Sequence, residues 1–561
     1  MFIAIYLGGK KIRESESLSV YCRKSAAAVE KYAVVILIAF IIVTSAWLGF
    51  VLFKNPYVTT YNAHEAPYFV QMLYNYVSGN GPETSLYYNL DFLSSNPNYY
   101  ASVFAERPRW SSIGLVALLY SLHPVPPMQV YAVILIVVIL GCTGIYIAVR
   151  SLGATKLMSL LAAMGYILLP QVEHLMFIRG HFDIVGVGIL PLVFASLFKR
   201  RWGWFYFMCL LYAAISYPQT LFVMFLGIIT GVFFRAWKQG MIALLIGLSV
   251  MLWDNAVLRQ ALCGIYNNPS YFVRVIDRLL TDNALTSRLM QIFIFNIKYI
   301  TLLLLAVSFL PLLGLRREGK WNLEVIGTLA FMIPSIGMSF VYGDYGFFYQ
   351  RNDPYIVPIY LSAFVAYMTL KKGTRDTPNT EYLFRSLLIA SIISLSLFTT
   401  AHFPWVVNYT APKMITKDYY GIESFKTLVN EQKKNEKRRD LLEKIAEYIP
   451  LGASVACYVN SDIRAFLANR QSVWFFPNYP PGVEYFVIEG PKAPISPENM
   501  NNFRIAYNLF IDRENYQILY YSLDKTSVII KNLHPSPIPR NEAILGWKIL
   551  TNTLLMKGCN R

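Results

Sequence analysis

Charge is the scarce commodity in this sequence. Only 15% of its 561 residues are charged, against 55% hydrophobic, and the mean hydropathy is +0.41. That balance excludes an ordinary water-soluble globular chain. Acidic residues are scarcer than basic ones, 33 Asp and Glu against 50 Lys and Arg. The resulting net charge of +17 does not mark a nucleic-acid binder, because the basic residues gather in short loops between apolar runs, where they report topology. Cysteine is sparse and unspaced for a metal: Cys142 and Cys209 fall in apolar runs, Cys22 precedes the first run, and Cys263, Cys457 and Cys559 leave a disulfide among themselves open. There is no glycine-rich phosphate cradle and no close internal repeat, which argues against P-loop or Rossmann nucleotide chemistry.

What the chain has instead is apolar length. The first run, Ala33 to Phe53, is long enough to cross the roughly 30 Å hydrocarbon layer as one helix. The 32 residues before it carry Lys10, Lys11, Arg13, Arg23, Lys24 and Lys31, too long a lead for a signal peptide, so the run reads as an uncleaved anchor after a cytoplasmic segment 1–32. Further spans are expected near 126–149, 156–172, 183–198, 203–218, 219–235, 240–254, 291–313, 322–342, 354–370 and 385–401. With the N-terminus in the cytoplasm, the basic loops "RSLGATK", "KRRWG", "RAWKQ", "RREGKW" and "KKGTRD" all fall inside. Eleven spans then place the C-terminus outside. The expectation is an α-helical polytopic membrane domain over 33–402, with a long first external loop at 54–110.

After Thr400 the apolar runs shorten. "KNEKRRDLLEKIAEYIP" reads as an amphipathic helix with a Pro stop. "ASVACYV", "SVWFFP", "VEYFVIEG", "YQILYYS" and "TSVIIKN" read as strands between turns. Residues 403–561 are therefore expected to form an extracytoplasmic α/β domain with its own core. The sequon Asn408-Tyr409-Thr410 falls on that side.

Chemistry, if present, belongs on the outer face, where the long loops are. In "HEAPYFVQMLYNYV" the residues Phe69, Met72, Leu73, Tyr76 and Val77 recur at helical spacing, an interfacial helix. The topology gathers His64 and Glu65 after the first span with Glu173, His174, His181 and Asp183 in a later outer turn. A carboxylate against apolar walls can serve as a general base, and His with carboxylates can hold a divalent cation or a phosphate. Solvated helix ends are the plain alternative. Arg107 and Arg109 suit a lipid phosphate or a simple interfacial anchor. "YGDYGFFYQRND" sets Asp344, Gln350, Arg351 and Asp353 beside aromatics that suit sugar stacking, and Asp254 with Asn255 ends a span.

Three segments, in this order, carry a resemblance: "HEAPYFVQMLYNYVSG", "ILLPQVEHLMFIRGHFDIVGVGILPLVFASLFKRRWGWF", and "IPLGASVACYVNSDIRAFLANRQSVWFFPN" with "VEYFVIEG". They resemble an uncharacterised family of prokaryotic membrane proteins, domain of unknown function 2079, which is remotely similar to GT-C glycosyltransferases. Over these segments Glu65 falls on the family's first acidic position, Gln71 and Asn75 on polar ones, His181 on its histidine and Asp183 on its acidic partner. The resemblance implies Glu65 as the base that deprotonates an acceptor, a sugar arriving on polyprenyl phosphate within the membrane lipid, and substrate contacts from Gln71, Arg109, His181 and Asp183; His64, gathered by the topology, and Arg351, from the aromatic loop, are added as candidate substrate contacts. It also implies a divalent cation, Mg or Mn, with Glu65, His181 and Asp183 as candidate ligands. The chain departs from the pattern at Val70, where the family has a second acid, at Arg109, where it has a histidine, and at Tyr217-Pro218-Gln219, where it has an acidic pair. The expected activity is glycosyl transfer at the outer face. A non-catalytic membrane scaffold binding an envelope protein or glycan is the rival, and a secondary transporter comes third.

Overall fold

The computed structural model describes residues 16–54, 110–123, 126–169, 184–215, 217–252, 309–317, 320–342, 353–373, 442–457, 472–475, 482–489, 511–521 and 527–535, with a few shorter stretches between them. Helices dominate: α1 (Glu16–Lys54), α2 (Trp110–Leu122), α3 (Pro126–Ser151), α4 (Lys156–Ile167), α5 (Val185–Phe198), α6 (Trp202–Ala213), α7 (Tyr217–Val232), α8 (Trp237–Leu252), the short α9 (Leu310–Leu313), α10 (Leu323–Ala330), α11 (Ile333–Tyr342) and α12 (Asp353–Gly373). Ala27–Gly49 and Tyr131–Ser151 are each long and apolar enough to cross a bilayer, and shorter apolar helices follow them. The runs near 291–313 and 385–401 lie largely or wholly outside the described residues.

One expected span is divided. The run near 322–342 forms α10 and α11 with a turn at Phe331 and Met332 between them. Pro334 explains the break: it has no N–H to donate to the Ala330 carbonyl, and its ring crowds that carbonyl. Helices α4 and α6 also stop short of their expected ends, at Ile167 and Ala213.

Small residues set how closely the helices pack. A Cβ on Gly144 of α3 would stand 2.7 Å from the Cβ of Pro191 in α5, and one on Gly227 of α7 would stand 2.5 Å from the Gly240 carbonyl oxygen of α8. Glycine is thus what lets these backbones touch, the usual device where lipid supplies no hydrophobic drive between helices. Buried tyrosines add specificity: the Tyr166 hydroxyl donates to the Val187 carbonyl and the Tyr360 hydroxyl to the Ala162 carbonyl, each at 2.7 Å. The two rings meet with centroids 5.4 Å apart.

The bundle has two distinct ends. Leu152 from the α3–α4 turn, Phe198 from the α5–α6 turn and Leu315 beside the β1–β2 hairpin (Arg316–Arg317, Lys320–Trp321) pack in one cluster with Val325, Val365 and Ala366. The rings of Phe198 and Phe234, 6.2 Å apart, bring in the α7–α8 turn. Arg150, Lys199, Arg200, Arg201, Arg235 and Arg316 sit in or beside those turns. The 26 residues of α3 rise about 39 Å at 1.5 Å per residue, so its first turn marks the far end.

The C-terminal strands form a mixed five-stranded sheet in the order β4 (Ser472–Phe475), β3 (Ser454–Cys457), β5 (Tyr485–Glu489), β7 (Ser527–Asn532), β6 (Tyr516–Tyr521). β3 pairs in parallel with β4 and β5, and β7 pairs antiparallel with β5 and β6. Period-two alternation divides its faces. Val455, Cys457, Tyr485, Val487 and Ile529 join one core with Leu442, Ile445 and Ile449 of the preceding helical residues 442–447 and their C-terminal turn, whereas Ala456, Phe486 and Ile530 form a smaller cluster on the other face. The first of these cores is continuous with that of the helical bundle.

Candidate site at the junction of bundle and sheet

His64, Glu65, Gln71, Asn75, Arg107, Arg109, Glu173, His174, His181, Asp183, Asp254, Asn255, Asp344, Gln350 and Arg351 all lie outside the described residues. Their described neighbours are informative. Leu73, eight positions after Glu65, is fully buried in the shared core, whereas Val77, one turn on, is 43% exposed; Phe69, Met72 and Tyr76 of the expected interfacial helix lie outside the described residues. Val172 and Ile184, which flank Glu173 and Asp183 in sequence, are also buried. α4 runs away from the basic end and α5 returns to it, so Val172 and Ile184 belong to the far end.

Two tyrosines and an arginine lie within electrostatic reach of one another near that end. Arg470 is 5% exposed, and its guanidinium donates through Nη2 to the Ala446 carbonyl. It lies close enough to Tyr74 of the first loop and Tyr120 of α2 for its charge to act on both. Burial pulls the guanidinium down from 12.5 to about 10, offset in part by those two rings. At neutral pH it stays charged. Tyr120 is fully buried, and its hydroxyl has no hydrogen-bond partner among the described residues.

Local sequence accounts for the arginine's position. Phe466 and Leu467 bury their side chains, and the Arg470 N–H closes a turn on the Leu467 carbonyl at 3.0 Å just before β4 begins. Its neighbouring strands are fastened by Glu484, whose carboxylate accepts from the Ser454 N–H at 2.8 Å while its own N–H donates to Ser454 Oγ at 3.0 Å. Arg470 is the residue that sequence reasoning missed. The signal was present in the last letter of "FLANR", but an arginine after a polar asparagine gave no sign that it would be buried.

At the start of α7, Gln219 and Thr220 are fully buried, and the Thr220 hydroxyl donates to the Ala213 carbonyl at 3.2 Å. A neutral amide here avoids the cost of an interior carboxylate. Among the described residues no group of three or more His, Cys, Asp or Glu gathers to hold a metal ion; Glu65, His181 and Asp183 lie outside them.

The described residues are mostly helical, with glycine contacts between apolar helices and two helices long and apolar enough to cross a membrane. The family described as Predicted membrane protein (DUF2079) matches residues 57–504, most of the chain, and the protein belongs to that family, whose function is unknown. No curated protein matches it.

Proposed function

We propose that the protein is a multi-pass membrane glycosyltransferase of GT-C type, acting at the bundle end that carries the C-terminal sheet and moving a sugar from a polyprenyl-phosphate carrier to an envelope acceptor. The observation that carries this reading is the burial of Leu73 in the core that the bundle shares with the sheet. Leu73 and Tyr74, a few positions after the candidate base in sequence, are held in and against that core, a rigid support of the kind that a site needing fixed geometry requires. The basic turns at the opposite end support an external location for this one.

In the reaction, Glu65 takes the proton of an acceptor hydroxyl as its oxygen bonds to the anomeric carbon. The bond from that carbon to the carrier phosphate breaks, and the phosphate keeps the electron pair. Gln71, Arg109, His181, Asp183 and Arg351 are the residues we assign to the sugar and phosphate. A divalent cation is a further requirement to be tested, with no step assigned to it.

The test is transfer of label from radiolabelled polyprenyl-phosphate sugars by the purified protein in lipid, wild type beside Glu65→Gln, with and without Mg or Mn. Transfer that falls by roughly 100-fold or more in the variant, the loss expected on removing a general base, supports the reading. Folded protein inert toward every donor moves the reading to a scaffold whose C-terminal domain binds an envelope protein or glycan.

A further inference from the structure

Three turns at the basic end of the bundle use a left-handed residue, and they fill it differently. After α3 the position is Gly153, with φ +94°, the residue type that takes this conformation without strain. After α5 it is Arg200, and in the α7–α8 turn it is Arg235, each with φ 53°. The Cβ of an arginine opposes that conformation, so backbone geometry does not explain the choice.

Both arginines stand in the same short setting. Phe198, Arg200 and Trp202, then Phe233, Arg235 and Trp237, are two copies of Phe-x-Arg-x-Trp, and the turns abut through Phe198 and Phe234. Both arginines are exposed, and neither forms an ion pair among the described residues. Trp237 is 63% exposed. The neighbouring hairpin adds Arg316 over the Trp321 ring at 4.7 Å.

We propose that the paired turns bind the phosphates of anionic phospholipid headgroups. A guanidinium fork grips phosphate oxygens in pairs, a tryptophan beside it settles at headgroup depth, and a basic surface draws an anionic leaflet. Fixing the arginine in a turn presets its geometry; Phe309 takes the same φ of 53° before α9, so the proposal stands on the repeated arginine–tryptophan pairing and not on the backbone alone. The proposal rests on the multi-pass reading and is independent of the transferase chemistry.

The test uses the full chain in detergent, titrated with short-chain phosphatidylglycerol or phosphatidylcholine while the thermal midpoint is followed. Wild type is compared with Arg200→Gly/Arg235→Gly and with a charge-matched control, Lys444→Ala/Arg513→Ala. Phosphatidylglycerol is expected to raise the wild-type and control midpoints more than phosphatidylcholine does. In the double glycine variant the half-saturating phosphatidylglycerol concentration should rise roughly tenfold or more, since each basic residue at an anionic surface strengthens attachment about fivefold. Its midpoint in phosphatidylcholine should equal or exceed wild type, because glycine relieves the turns. The proposal is overturned if the variant keeps the full phosphatidylglycerol response, if wild type shows no preference between the lipids, or if inorganic phosphate reproduces the effect. A midpoint that falls in phosphatidylcholine overturns it too, since the arginines would then serve the fold.

Discussion

The carboxylate of Glu30 caps α4 from 126 residues away in sequence, accepting from the Lys156 N–H at 2.7 Å and, through its second oxygen, from the Leu157 N–H at 2.6 Å. Thr155 satisfies a third N–H of the same turn, that of Met158, at 3.2 Å. The negative charge also faces the positive end of the helix dipole. Glu30→Ala should therefore lower stability by about 1–2 kcal/mol, and Glu30→Gln by less, because the amide oxygen keeps one bond and loses the charge. Denaturation of the two variants in the same detergent measures the order; equal losses would remove the charge term.

The α7–α8 contact separates two glycines that look alike in sequence. Gly240→Ala should cost about 2 kcal/mol or more, because the added methyl meets the Gly231 backbone nitrogen at 2.8 Å. Gly203→Ala, with nothing within 4 Å of the new Cβ, should be neutral or stabilising by up to about 1 kcal/mol. The comparison is made by thermal unfolding of both variants.

At the junction, Tyr120→Phe removes a buried hydroxyl without a described partner and should leave stability unchanged or raise it by about 1 kcal/mol. A loss of that size instead would reveal a partner for the hydroxyl. Arg470→Met keeps the volume but leaves the Ala446 carbonyl without that donor. It should make the C-terminal region more sensitive to limited proteolysis while the bundle's fragments persist.

The two ends of the bundle predict two accessibilities. In a cysteine-free background, Lys238→Cys and Glu514→Cys should react with a membrane-impermeant maleimide from opposite sides of sealed vesicles. Labelling of both from one side would refute the odd number of spans that puts the C-terminal sheet opposite the basic turns.

Much of the helical order was legible because apolar runs and basic turns alternate with little ambiguity; α3, α5, α8 and α12 start within three residues of their expected positions. The strands at Ser454–Cys457 and Tyr485–Glu489 were legible from their short apolar runs between turn residues. The break at Phe331–Met332 escaped because hydropathy does not register the missing N–H of Pro334. The junction escaped for a different reason: Tyr74, Tyr120 and Arg470 are hundreds of residues apart at the extremes, and only tertiary packing brings them together. The capping by Glu30 is of the same kind, since its partner N–H groups carry no sequence signature.

One core runs from the bundle into the sheet, so the sheet's inner face closes partly on the short helix before β3 and partly on the bundle. A ribosome delivers α1 to α12 long before Val455, Val487 or Ile529 emerges. The helices are then in place before the late strands assemble, and the C-terminal segment expressed alone would lack the bundle's share of that core. The junction between bundle and sheet is then expected to be the last part of the protein to form.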